Sequence, residues 1–129
     1  MKHTGSGPEK KNAAKLDEVY LRHILKALNE ALDLTKGLNE QQFKANRTVQ
    51  LALITLLEVV GEASKQLSHE LKNAHADIPW KKMAGMRDKL LHDFLGVDMD
   101  LIWVTIGKDL PVISLRVSKI LEPEVKPSP

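Results

Sequence analysis

Between Gly85 and Phe94 the sequence sets Arg87, Asp88 and His92 within six residues, three side chains that could between them move protons and hold a phosphate. On a helix Asp88 and His92 are i and i+4 and share a face, so the carboxylate could fix one imidazole tautomer or favour its protonation. Arg87 is different. Five steps at ~100° put its direction roughly 140° from that of His92, so the two do not stack on one straight helix. A two-fold dimer would remedy this, with Arg87 and His92 of both copies lining one cleft between two helices.

The chemistry that suits such a set is RNA cleavage without a metal or other cofactor. A base takes the 2′-hydroxyl proton, an acid protonates the leaving oxygen, and a cation stabilises the crowded phosphate. His92 could be base or acid, and a dimer would supply one of each. Arg87 could be the cation, because its planar fork of donors matches phosphate oxygens and stays charged at every relevant pH. From spacing alone the blander reading is favoured: Asp88 and His92 as a helix-stabilising pair, and Arg87 as a solvated charge.

Other residues carry less. Glu58 and Glu62 have i, i+4 spacing but no clustered histidine, so they read as a solvated or salt-bridged face rather than a metal site. His23, His69 and His75 form no ligand pattern and read as surface residues. Trp80 beside Lys81 and Lys82 could be a stacking platform for single-stranded RNA, but a tryptophan just after a helix-starting proline more often anchors its helix. Trp103 is expected in the core as well, and Tyr20, the sole tyrosine, as a half-buried contact.

The elements that must position Arg87 and His92 follow from the apolar pattern. The chain has 129 residues, 43% hydrophobic and 28% charged, which suits one ordinary globular domain. There are no cysteines, which fits a reducing compartment and excludes disulfides, thiolate zinc sites and cysteine nucleophiles. No apolar run is long enough to cross a bilayer and the start lacks a signal-peptide stretch, so a cytoplasmic protein with no membrane partner is expected. The net charge of +2 is too small for a protein that coats nucleic acid non-specifically.

Residues 1–15 are polar, with Gly5, Gly7 and Pro8, and are expected to be a disordered tail. Leu21, Ile24, Leu25, Leu28 and Leu32 then mark one helical face, with Gly37 as its stop. Asn39 and Gln42 look like a capping box opening a short extra turn through Phe43. A second long helix is expected from about Asn46 to Asn73, inward at Val49, Leu53, Leu56, Leu57, Val60, Ala63, Leu67 and Leu71. A third starts at Asp77 to Pro79, with Pro79 in its first turn and Gly85 interrupting it.

The fourth, capped by Asp98, places Ile102, Ile106, Leu110, Ile113, Val117 and Ile120 inward, with a kink at Pro111 near Gly107. Residues 122–129, with three prolines, form a second disordered tail. No segment alternates with a period of two. The expected fold is therefore all-α, an up-and-down antiparallel four-helix bundle over residues 16–121.

Residues from about Glu18 to Leu121 resemble the HepT-like branch of the HEPN superfamily. The likeness is carried by Tyr20 to Ile24, Glu58 to Lys65, Ile78 to Trp80, Ala84 to Arg87, Gly96 to Asp98, Trp103, and Leu110 with Pro111. The family's arginine-then-histidine signature falls on Arg87 and His92. The resemblance implies a helical bundle that dimerises or assembles further. It also implies, in active members, a metal-independent endoribonuclease that is the toxin partner of a minimal nucleotidyltransferase antitoxin.

In such members a tyrosine two residues after the histidine receives AMP from the antitoxin. Here that position is Phe94, which has no hydroxyl, so modification at that site is chemically impossible. Three explanations stay open: neutralisation by direct binding, a degenerate toxin, or a substitution that escapes control. Tyr20 is not expected to substitute as acceptor. The competing function is a non-catalytic helical subunit that binds and regulates a nucleotidyltransferase.

Overall fold

The computed structural model describes residues 8–86, 88, 92 and 99–122, with side chains from Asn12 onward. Helix α1 spans Pro8–Thr35. It opens at Pro8 rather than at Leu16, which corrects the expected tail: Pro8 suits a first helical position, and the lysines and alanines that follow are good helix formers. Residues 1–7 and 123–129 lie outside the described residues.

Leu21, Ile24, Ala27, Leu28 and Ala31 form the buried stripe of α1, while Leu25 and Leu32 pack at its edge. The helix stops where Thr35 turns its hydroxyl back onto the Ala31 carbonyl at 2.9 Å and Gly37 takes a φ of +81°. Asn39 then starts α2 (Glu40–Ala45) with a complete capping box. Its side chain accepts from the Gln42 amide at 2.8 Å and the Gln42 side chain accepts from the Asn39 amide at 2.9 Å.

Helix α3 is Arg47–Gln66, capped by Asn46. Buried Gln50 donates to the carbonyls of Phe43 at 2.9 Å and Lys44 at 3.0 Å, satisfying the open end of α2. The expected single helix from Asn46 to Asn73 breaks at Leu67. Ser68 has extended backbone and caps a separate α4 (His69–Ala74). Asp17 of α1 causes this locally: it accepts from the Ser68 amide at 2.8 Å and the Ser68 hydroxyl at 2.6 Å, taking the amide out of the helical ladder.

Helix α5 is Trp80–Ala84, and Pro79 stands just before it as its cap rather than inside its first turn. Helix α6 is Met99–Leu121 and runs through Pro111 without interruption. Asp98, its expected cap, lies outside the described residues. Pro111 leaves the Gly107 carbonyl without its usual partner, but Gly107 is exposed and water can serve it. Ile102, Ile106, Leu110, Ile113 and Val117 face inward as the spacing predicts.

Helix α1 packs against α3 and α6, and α5 packs against α3. Short α2 bridges α3 and α6: Phe43 is fully buried with its ring centroid 5.3 Å from that of Trp103. Lys44 pairs with Asp100 at the start of α6, and that hydrogen bond is the main cause of a lysine pKa raised above its usual value. Ser114 of α6 donates to the Asn29 side chain of α1 at 2.7 Å. Among the described residues there is no strand, and the all-α bundle expected from the apolar pattern is the fold.

Candidate active site

The segment bearing Arg87, Asp88 and His92 follows α5, and α5 is fixed from three sides. Trp80, Met83 and Met86 all point into the core, at steps of three residues along one face. The indole nitrogen of Trp80 donates to the His75 carbonyl at 2.9 Å, tying the helix to the turn that precedes it. Lys82 reaches Asp109 of α6 at 2.8 Å, and Arg116 of α6 donates to the Asp77 carbonyl at 2.7 Å.

Beyond Gly85 the backbone is helical at Met86, Asp88 and His92. Met86 is buried, and Asp88 and His92 are exposed. A carboxylate and an imidazole four residues apart on helical backbone, both open to solvent, can meet a substrate without displacing the core. Arg87 and Phe94 lie outside the described residues, as do Gly96 and Val97.

Trp80 is only 7% exposed and Trp103 leans on Phe43, so neither ring is a free stacking platform. Tyr20 is half-buried, edge-on to His23 with ring centroids 6.5 Å apart. It lines a cavity of about 360 Å³ between α1 and α3 together with Glu58 and Glu62. Glu62 pairs with Lys65 at 3.5 Å. Among the described residues no three histidines, aspartates or glutamates converge as a metal site would require.

A groove on the α5 side was not foreseen. Lys65, His69 and Lys72 come from α3 and α4, and there they meet Lys81 and Lys82 of α5. Sixteen residues separate Lys65 from Lys81 in the chain, and only the turn at Leu67 and the return through Pro79 bring them together. The sequence signal was the Lys81-Lys82 pair beside Trp80.

Residues 24–120 match the ribonuclease HepT-like family. The chain belongs to that family. Three relatives match it over at least nine-tenths of their own length. A protein of Caldanaerobacter subterraneus subsp. tengcongensis named "Putative RNase" is 39% identical over 105 residues, 81% of this chain and 94% of its own. The "Probable ribonuclease HepT" of Thermococcus cleftensis is 37% identical over 101 residues, 78% of this chain and 92% of its own.

A Methanocaldococcus jannaschii protein named "Putative RNase" is 34% identical over 105 residues, 81% of this chain and 90% of its own. No solved structure matches the chain. No helix among the described residues of this HepT-like chain is long and apolar enough to cross a membrane.

Proposed function

We propose that this chain is a metal-independent endoribonuclease, the toxin of a HEPN toxin–antitoxin pair, cleaving cytoplasmic RNA with Arg87 and His92 at a cleft between two copies. One observation carries the reading. His92 stands exposed on helical backbone, four residues from an exposed Asp88, in a chain that matches a ribonuclease family across residues 24–120.

His92 of one copy takes the proton of the 2′-hydroxyl, whose oxygen attacks the adjacent phosphorus. The bond from phosphorus to the 5′ oxygen breaks, and His92 of the other copy protonates that oxygen. The products are a 2′,3′-cyclic phosphate and a free 5′-hydroxyl, with no net gain or loss of protons. Arg87 offsets the charge that accumulates on the non-bridging oxygens. Asp88 supports His92. Dimerisation is the simplest way to provide both a base and an acid when each chain carries one such histidine.

The test is cleavage of total cellular RNA by purified protein in EDTA, beside Arg87→Ala and His92→Ala proteins shown to be folded by circular dichroism. Fragments ending in cyclic phosphate are expected from the unaltered protein alone, and activity should fall on dilution below the dimer dissociation constant. Intact RNA from the unaltered protein would overturn the reading. Phe94 favours one specific second reading, a non-catalytic subunit that binds a minimal nucleotidyltransferase. In that case a partner would be recovered by pull-down, with RNA left intact.

A further inference from the structure

The groove between α4 and α5 has a volume of about 780 Å³ and is lined in part by Lys65, His69, Lys72, Lys81 and Lys82. Among the described residues no aspartate or glutamate lines it. Its lining contrasts with that of a second large cavity among the described residues. That cavity, of about 850 Å³, mixes Lys15 and Arg22 with Asp17, Glu18, Glu70 and Glu122, so its field largely cancels.

In the basic groove, Lys65 pairs with Glu62 at 3.5 Å and Lys82 with Asp109 at 2.8 Å. Lys72 and Lys81 have no ion pair among the described residues. Two uncommitted ammonium groups, flanked by two more and a histidine in a concave wall, concentrate positive potential where a polyanion can enter. The rest of the wall is Asn73, the largely buried Trp80, and the small or apolar Ala76, Ile78, Pro79 and Ala84. No base-reading pattern is present, so the groove suits a backbone rather than a sequence.

We propose that this groove is the track that holds the phosphate backbone of the single-stranded RNA substrate and feeds it toward the Arg87 and His92 segment. The inference rests on the ribonuclease reading for the identity of the polyanion, while its own support is the charge of the groove and its position. Ala84, one of the lining residues, is three residues before Arg87 in the sequence. A fully extended chain spans at most about 11 Å over three residues, so little chain separates the lining from the segment that bears Arg87. Lysine contacts to phosphate give affinity and register without sequence preference.

The experiment uses the His92→Ala chain, which cannot consume its ligand on the proposed mechanism, and measures its affinity for a fluorescent single-stranded RNA by anisotropy between about 0.1 and 1 M salt, a range over which phosphate contacts are progressively weakened. Lys72→Ala and Lys81→Ala are then added together. Both side chains are outside the core, and unchanged circular dichroism and melting temperature establish that the fold persists.

Two lost contacts should flatten the salt dependence by about 1.4 decades of affinity per decade of salt, so the loss caused by the two substitutions should be about 25-fold greater at the low-salt end than at the high-salt end. An unchanged affinity and slope, or no RNA binding by the His92→Ala chain at all, would overturn the track. If the lysine changes leave RNA binding intact but abolish capture of a nucleotidyltransferase, the groove is an acidic-protein site instead and the proposal fails. Cleavage by the unaltered chain is scored separately. Lysine-dependent binding without cleavage would refute the ribonuclease reading and the substrate track with it, leaving an RNA-binding groove that serves no cleavage.

Discussion

Replacing Asp88 by Asn separates a supporting role from a catalytic one, because the structure limits what Asp88 can contribute. Asp88 and His92 are both exposed, four residues apart on helical backbone. An exposed i, i+4 pair is screened by water and typically stabilises by a few tenths of a kcal/mol, which is about a twofold change in any equilibrium that His92 enters. Removing a general acid or base costs far more, about 10²- to 10⁴-fold. Single-turnover cleavage of a defined RNA in EDTA should therefore fall about twofold for Asp88→Asn and by at least 100-fold for His92→Ala. Melting temperatures of both variants should lie close to that of the unaltered protein, since neither side chain is buried. If Asp88→Asn silences cleavage as completely as His92→Ala while remaining folded, the reasoning from exposure is wrong and Asp88 belongs among the catalytic groups.

Two further perturbations probe the frame and the regulation. Trp80→Ala empties a buried site and removes the hydrogen bond to the His75 carbonyl, so urea denaturation should show a loss of about 3–5 kcal/mol, and a loss below 1 kcal/mol would mean that α5 is not anchored there. Phe94→Tyr restores the phenol that the family resemblance implies as AMP acceptor. Incubated with a cognate nucleotidyltransferase and ATP, that variant should gain AMP on Tyr by mass spectrometry while the unaltered chain gains none at position 94.

How much of this was legible in the sequence depended on whether the cause was local. The inward residues of α1, α3 and α6 follow from a 3.6-residue period, and Leu28, Leu57 and Leu110 are fully buried as that period requires. The Asn39 and Gln42 capping box is read from four residues and is present in full. The break at Leu67 was not legible. Its cause is Asp17, fifty-one positions away from Ser68, and no local propensity announces a carboxylate arriving from another helix. The basic groove was hidden for the same reason: Lys65, Lys72 and Lys81 each look like ordinary solvated charges until the α3–α4 turn sets them side by side. His92 and Asp88 were legible as types and spacing, and their exposure is what the structure adds.

That turn joins the frame to the groove and can be tested on both. Asp17 is only 8% exposed and accepts two hydrogen bonds from Ser68, which in turn caps α4 by accepting from the Leu71 amide at 3.2 Å. Asp17→Ala strands a part-buried amide and hydroxyl. Hydrogen bonds to a charged acceptor are worth about 1.5–3 kcal/mol each where buried, and partial exposure of Ser68 lets water recover some of that, so a net loss of about 2 kcal/mol is expected in urea. Ser68→Ala removes one of the two bonds and the α4 cap, and the double variant should lose less than the sum of the singles because the two residues act on each other. Because α4 carries His69 and Lys72, the loosened turn should also weaken RNA binding by the His92→Ala chain at temperatures where the domain is still fully folded. A stability loss with RNA affinity unchanged would mean that the groove does not depend on how α4 is set, and that Lys65, Lys81 and Lys82 suffice to hold the strand.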